Sequence, residues 1–317
     1  MKALLQYRAS AGFRAALSRA AEIAGVEAAV VDEADDAAFR REIADTDVLL
    51  HVLKPVTAEM MAAGPRLKLI QKLGVGVNTI DLDAAKVAGV AVANMPGVNS
   101  QAVAEMALTL MLAVLRRLTY LDPLTRHGQG WAPDPDLIDG VGEIAGRTVG
   151  FVGYGASASR LGTVLEALDA KVIYTARSAK PELPGRFVSL PALLAEADIV
   201  SLHLPLTPET RGLIGVAALT AMRPGAILIN TARGELVDEA ALAAALASGR
   251  LRGAGLDVFS EEPVNPGNPL LALPNVVLAP HMAWLTPETL DRSLAVAFEN
   301  CRRLAAGRPD RRRAASR

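Results

Sequence analysis

Arg233, Glu262 and His281 are the residues of this 317-residue chain whose types and placement can do chemistry together. Each follows a short apolar run. Arg233 lies in Asn230-Thr231-Ala232-Arg233-Gly234, Glu262 in Asp257-Val258-Phe259-Ser260-Glu261-Glu262, and His281 in Ala279-Pro280-His281. A guanidinium fork can orient a carboxylate and polarise a neighbouring carbonyl. An imidazole titrates near neutrality, so it can protonate a developing alkoxide or take that proton back. A carboxylate beside the ring would fix its tautomer and favour imidazolium. Taken singly, an Arg after a strand is usually an ion-pair residue, and a lone His is usually a structural one. Their shared position at predicted strand ends points to one crevice, because ligands of open α/β sheets bind outside the carboxyl ends of the strands. No His, Cys or carboxylate spacing fits a metal site, so no metal is expected.

The element that must position these residues is Val149–Arg177, reading VGFVGYGASASRLGTVLEALDAKVIYTAR. An apolar run, Val149–Val152, leads into Gly153, Tyr154, Gly155, Ala156, Ser157 and Ala158, a G-x-G-x-x-A spacing. A helical pattern through Leu161, Val164, Leu165 and Leu168 follows, then a second strand, Lys171–Thr175. Gly153 permits the tight turn, Gly155 lets the backbone approach a pyrophosphate, and Ala158 lets helix and strand pack closely. A lone G-x-G-x-x-A can be an ordinary turn; strand, helix and strand around it predict a dinucleotide site, with phosphates at the helix N-terminus. An NAD site usually has Asp or Glu where the second strand ends. Here Thr175, Ala176, Arg177 and Ser178 stand there, offering a guanidinium and hydroxyls to a 2′-phosphate. NADP(H) is therefore the expected cofactor, with NAD possible in its place. His203 closes the run Ile199–His203 at the same crevice and is expected to touch the cofactor. His51 and His127 lack such company.

The rest of the chain reads as two α/β domains. Strands are predicted at Leu4–Tyr7, Ala28–Val31, Val48–Val52, Leu69–Leu73 and Val90–Ala93. Helices are predicted between them at Phe13–Ala24, Ala37–Ala44, Ala58–Ala63 and Leu82–Ala88. This alternation implies a parallel sheet with helices on both faces. Gly74 and Gly76, at a strand end, can present backbone N–H groups to an anion. The apolar stretch Ala102–Leu118 reads as a buried helix connecting the domains, and Asp122–Gly142, with its prolines, glycines and Trp131, as a loop. Further strands are predicted at Ile199–His203, Ala226–Asn230, Ala254–Val258 and Val276–Ala279. A last helix, Thr289–Ala306, is expected to pack back on the first domain, and the tail Arg308–Arg317 to be solvated. Apolar residues make up 51% and the net charge is −1, which gives no electrostatic case for nucleic acid or an anionic membrane. Cys301 is the only cysteine, so no internal disulfide is possible. With Met1–Leu5 too short for a signal peptide and no membrane-length apolar run, a cytoplasmic setting is expected.

With these residues in view, the chain resembles the D-isomer-specific 2-hydroxyacid dehydrogenases over nearly its whole length. The matching stretches are GVGVNTIDLDAA (Gly74–Ala85), NSQAVAEMAL (Asn99–Leu108), IAGRTVGFVGYGASASRLG (Ile144–Gly162) and HLPLTPETRGLI (His203–Ile214). They continue with INTARGELVDEAAL (Ile229–Leu242), GLDVFSEEP (Gly255–Pro263) and LAPHMAWLTPET (Leu278–Thr289). The resemblance implies two doubly wound parallel-sheet domains, a Rossmann cofactor domain (residues 99–285) inserted in a flavodoxin-like substrate domain (residues 1–98 and 286–317). It places Arg233, Glu262 and His281 at the catalytic positions. It places Leu53, Val75, Gly76, Asn99 and Trp284 at the substrate, with Val75 and Gly76 giving N–H groups to its carboxylate. It adds Pro205, Thr210, Thr231, Ala232, Asp257 and Ala283 to the cofactor site. It also implies closure of the two domains and a homodimer formed through the cofactor domain.

Two departures refine this. The acidic residue common at the second strand's end aligns with Ala176, followed by Arg177, as in NADPH-preferring glyoxylate and hydroxypyruvate reductases. Trp284 replaces the small residues many members carry, and would narrow or cap the pocket. Formate dehydrogenases carry Gln where Glu262 stands, and phosphite dehydrogenases Lys near Val75, so both are disfavoured. The expected reaction is hydride transfer between NADP(H) and a small 2-oxo acid, glyoxylate or hydroxypyruvate, giving a D-2-hydroxy acid. The alternative is a non-enzymatic NAD(P)(H)-sensing protein of the same fold.

Overall fold

A computed structural model describes residues 1–131 and 140–308; the tail beyond Arg308 and the middle of the predicted Asp122–Gly142 loop lie outside them. The chain divides into two compact units, Met1–Asn99 with the chain from Leu285 onward, and Ser100–Trp284.

The first unit alternates β1 (Lys2–Gln6), α1 (Ala11–Ala24), β2 (Glu27–Val31), α2 (Asp36–Ile43), β3 (Val48–His51), α3 (Ala58–Ala62), β4 (Leu69–Lys72), α4 (Leu82–Val87) and β5 (Ala91–Ala93). The strands pair in parallel in the order β2-β1-β3-β4-β5, the order of a flavodoxin-like sheet. Every residue of β3 and β4 is buried, as expected of parallel strands covered on both faces. The helices start where they do because a short polar side chain caps each one. Ser10, Asp35, Thr57 and Asp81 accept the backbone N–H three residues on, supplying partners that the first turns lack. The closing helix, called α11 below, spans Pro287–Ala305, is capped by Thr286 and packs against α1. Its buried stripe, Leu290, Leu294, Ala297, Phe298 and Cys301, follows the helical repeat, and Asn300 donates to Gln71 of β4 at 2.5 Å.

The second unit contains α5 (Ser100–Leu115), α6 (Leu118–Arg126), β6 (Thr148–Val152), α7 (Ala156–Ala167), β7 (Lys171–Thr175), β8 (Arg186–Phe187), α8 (Leu190–Glu196), β9 (Ile199–Leu202), α9 (Val216–Ala221), β10 (Ala226–Asn230), α10 (Glu239–Ala247), β11 (Leu251–Leu256) and β12 (Val276–Leu278). Its seven strands run β12-β11-β10-β9-β6-β7-β8. Counted from β6 this is the Rossmann order 3-2-1-4-5-6 with one strand added; all strands are parallel, and the strand order reverses between β6 and β9, the kind of switch point where dinucleotides bind.

The buried helix expected over 102–118 is α5: it begins at the boundary between the two units and packs against β10, β11 and α7 of the second. The strand permits this because Gly253 and Gly255 face the helix; a Cβ on either would come within 2.7 Å of Val114 or Leu110. One expectation needs correction: the segment after Asp122 is not a loop from its start. Arg117 enters the left-handed region (φ 51°), breaking the helix, and α6 then runs to Arg126 across Pro123. Proline's missing N–H and the glycines beyond it read as loop, but α6 has no buried residue, so solvent can satisfy the freed carbonyl. Trp131 is 88% exposed.

Candidate active site

Each cofactor residue predicted from sequence stands at a carboxyl end of the seven-stranded sheet. The Gly153–Ala158 turn follows β6, Arg177 and Ser178 follow β7, and His203, Pro205 and Thr210 follow β9. Thr231, Ala232 and Arg233 follow β10, Asp257 follows β11, and His281 and Ala283 follow β12. At β6 the strand-to-helix turn depends on two different glycines. Gly153 has φ 86°, and a Cβ there would lie 2.6 Å from the carbonyl oxygen of His203, so protein backbone fills its space. Gly155 faces nothing within 4 Å, and as the N-cap of α7 it offers no side-chain cap. The first-turn N–H groups of α7 are thus left without a capping side chain, as an anion site requires. Tyr154 and Ala158 are buried, Tyr154 stacking on Tyr174 at 4.1 Å, so their side chains serve packing. Arg177 is exposed and makes no ion pair among the described residues. Lys180, missed in the sequence reading, donates from Nζ to the Tyr154 carbonyl at 2.6 Å and brings a second cation to the glycine turn. At β10 the buried Thr231 hydroxyl has no partner. An empty cradle at Gly155, an uncapped helix and an orphaned hydroxyl at one sheet edge fit a dinucleotide.

His203, half-buried after β9, is held by two serines. Its Nδ1 meets Ser157 Oγ at 3.2 Å and its Nε2 meets Ser201 Oγ at 2.8 Å, with Phe151 edge-on to the ring. Burial pulls its pKa down to about 4, so the neutral ring ties α7 to β9. In the other unit His51 is also neutral, lowered to about 3 by burial and then by Lys72, with Nδ1 unpartnered.

Glu262 and His281 meet directly: Nδ1 lies 2.6 Å from Oε2. The other carboxylate oxygen accepts the Phe259 N–H at 3.0 Å. Burial, the largest influence, pushes the Glu262 carboxyl up. The His281 bond, the Phe259 N–H and the charges of His281 and Arg233 outweigh it and hold the group below the ordinary glutamate range. An ionised Glu262 assigns the proton of Nδ1 and leaves Nε2 as the nitrogen able to exchange a proton. His281 sits at φ 55°, a left-handed conformation that non-glycine residues seldom adopt. Asp257 holds it there. The Asp257 carbonyl accepts the His281 N–H at 2.7 Å, and its fully buried carboxylate accepts those of Met282 and Ala283 at 2.8 and 3.0 Å.

Three residues that sequence reasoning missed position Arg233 and Glu262. Buried Asn230 accepts the Ala232 N–H at 3.0 Å and donates to the Arg233 carbonyl at 2.8 Å, fixing the turn. Glu239 accepts from Ser260 N–H at 2.5 Å and from Asn268 at 2.6 Å, holding the loop that carries Glu262. Gly234 lets the two loops touch, since a Cβ there would lie 1.8 Å from the Phe259 carbonyl carbon. Their signals, a buried Asn ending an apolar strand and a Gly directly after Arg, were present but local. Burial pulls the Arg233 guanidinium down from its ordinary range, while Glu262 and Glu235 oppose the shift.

In the first unit, the Gly74–Gly76 loop is held through its carbonyls: Met95 N–H donates to Gly74 and Asn94 to Val75, each at 2.8 Å. Val75 is exposed, and Leu53 and Asn99 are half-buried. Trp284, last in the second unit, is buried. No metal-ligand cluster occurs among the described residues.

Three outcomes follow. Gly155→Ala keeps the melting temperature within about 1 °C but weakens dinucleotide binding at least tenfold, whereas Gly153→Ala loses stability, as calorimetry and fluorescence titration would show. Gly234→Ala forces the two loops apart and costs roughly 3 kcal/mol in urea unfolding. Because the Glu262 pKa is lower folded than unfolded, its contribution is complete above about pH 4.3 and fades as pH falls through the lower folded value. The urea midpoints of the parent and Glu262→Gln should therefore differ at pH 6 and converge towards pH 3.

The model of the D-isomer specific 2-hydroxyacid dehydrogenase NAD-binding domain matches residues 108–283. A glyoxylate reductase of Aeropyrum pernix is 42% identical over 261 residues, 80% of this chain and 78% of that protein. A D-3-phosphoglycerate dehydrogenase of Mycobacterium leprae is 41% identical over 287 residues, 89% of this chain but 53% of that protein. A crystal structure of a Thermus thermophilus protein superposes with a TM-score of 0.89 at 39% identity, covering 99% of this chain and 100% of that one. With the sheet order, the glycine turn and these matches together, the chain belongs to the D-isomer specific 2-hydroxyacid dehydrogenase family and is an oxidoreductase of that family.

Proposed function

We propose that this enzyme reduces a small 2-oxo acid, glyoxylate or hydroxypyruvate, to the D-2-hydroxy acid with NADPH, as a cytoplasmic homodimer associating through its cofactor domain. The observation that carries the reaction is the 2.6 Å contact between His281 Nδ1 and Glu262, which commits Nε2 to proton exchange. When bound, the dinucleotide supplies the hydride. Arg233 orients the substrate carboxylate and polarises its carbonyl oxygen, a role suited to a half-buried guanidinium whose bonds are strengthened by partial desolvation. His281 gives its Nε2 proton to the oxygen that becomes the hydroxyl, and Glu262 stabilises the imidazolium before that transfer. Val75 and Gly76 give backbone N–H groups to the carboxylate. The absence of a carboxylate after β7, with Arg177 exposed and Lys180 at the glycine turn, supports NADPH over NADH. The glyoxylate reductase relative supports the smaller substrates.

Initial rates with NADPH and NADH across glyoxylate, hydroxypyruvate, pyruvate, a phosphorylated 2-oxo acid and bulkier acids test this. NADPH is expected to win on the two smallest polar acids. Arg177→Asp should lower the NADPH-to-NADH ratio of kcat/KM about 100-fold. His281→Ala should lower kcat about 10³-fold with NADPH binding kept. Turnover confined to the phosphorylated or bulky acids would overturn the substrate assignment, and an unchanged cofactor ratio in Arg177→Asp would overturn the 2′-phosphate assignment.

A further inference from the structure

The amino end of the seven-stranded sheet carries a cluster that the proposed reaction does not use. Arg147 directly precedes β6, Arg252 is the second residue of β11, and Arg117 follows the end of α5. All three are half-buried. The amino groups of Arg147 and Arg252 lie 2.5 and 3.5 Å from one point, a Cβ placed on Gly142, so these like charges are within about 6 Å of each other. None of the three forms an ion pair with a carboxylate among the described residues. Their recorded partners are uncharged: Arg252 donates to the Gly140 carbonyl, Arg147 to the Glu143 carbonyl, and Arg117 lies 5.5 Å over the Tyr120 ring. The C-terminus of α5 offers about half an elementary negative charge, against three guanidinium charges. Desolvation, then the charges of Arg147 and Arg117, pulls the pKa of Arg252 down, as expected of cations gathered with no counter-charge among the described residues.

Arg117 and Arg252 open on a cavity of about 60 Å³, walled by Ala113, Val114 and Pro274, with Thr119 also lining it. That volume suits a few waters or one compact ion, and is too small for a nucleotide or peptide. Arg117 stands at this place in the left-handed turn between α5 and α6. We propose that Arg117, Arg147 and Arg252 bind a small oxyanion of the phosphate or sulfate class at the amino end of the cofactor-domain sheet. Guanidinium forks match the oxygen edges of such ions. The site is distinct from any dinucleotide phosphate site, since from Arg252 the strand β11 leads five residues, about 17 Å, to Asp257 and the catalytic edge.

The test is calorimetric titration of the full chain with inorganic phosphate, NADPH saturating and ionic strength held constant with chloride. One phosphate per chain is expected, with Arg252→Met and Arg117→Met each weakening it at least tenfold. Thermal melts give a second reading with a sign of its own. In chloride alone, Arg117→Met should melt at or above the parent, because a like charge is removed; in phosphate it should melt below. An arginine with a purely structural role would lower the melting temperature in both. Unchanged phosphate binding in both variants, or no binding once NADPH is present, would overturn the proposal. So would variants that alter only the oligomeric state, which would assign the arginines to a second copy of the chain.

Discussion

The site depends on a carboxylate that never meets solvent. Asp257 is fully buried, and burial pushes its carboxyl up from the ordinary aspartate range, with the N–H bonds of Ala283 and Met282 opposing that shift. Its compensation comes from the backbone that must be fixed. Three consecutive N–H groups, of His281, Met282 and Ala283, end on one residue at 2.7–3.0 Å. A left-handed conformation at a non-glycine residue costs about 1–2 kcal/mol, and these bonds offset it. An amide in place of that carboxylate would turn one acceptor into a donor facing an N–H. The imidazole is therefore aimed by its own backbone rather than by its Glu262 partner alone, so proton exchange at Nε2 does not rest on a flexible side chain.

The same edge of the sheet gives three ionisable groups three different states. Glu262, a third exposed at its side chain, stays ionised because hydrogen bonds and Arg233 outweigh burial. His203, with a serine at each ring nitrogen, is held neutral by burial with a pKa of about 4 and cannot serve as an acid. His281 alone combines a carboxylate on one nitrogen with a second nitrogen available for exchange. Residue type does not separate these two histidines; what surrounds each ring does.

Much of this was legible in the sequence because it is local. Buried parallel strands are unbroken apolar runs, so β3, β4, β9 and β10 could be read within a residue or so of their ends. The glycine turn carries its requirement in six consecutive residues. Arg233, Glu262 and His281 could be picked out because each follows such a run. What escaped is held by partners distant in sequence. Glu239 reads as an ordinary acidic residue in the first turn of a helix, and only folding brings Ser260 and Asn268 to it. Asp257 enters the sequence reading only through the resemblance, as a cofactor residue; its hold on the backbone is hidden because the N–H groups that its carboxylate accepts lie 25 and 26 residues on. The helix across Pro123 was hidden by a residue that penalises helices in general but is tolerated on an exposed one.

The glycines separate what the fold needs from what the ligand needs. Gly234 and Gly153 each stand where a Cβ would enter protein backbone, against Phe259 and against His203. Those positions would require glycine whatever the enzyme bound. Gly155 is different, since nothing in the chain approaches within 4 Å and its φ of −93° is open to any residue. No steric or conformational demand of the protein forbids a side chain there. A demand for a bare backbone at Gly155, beside an uncapped helix terminus, could therefore come only from a bound ligand; under the proposed dinucleotide reading it is the close approach of the pyrophosphate that such a position admits.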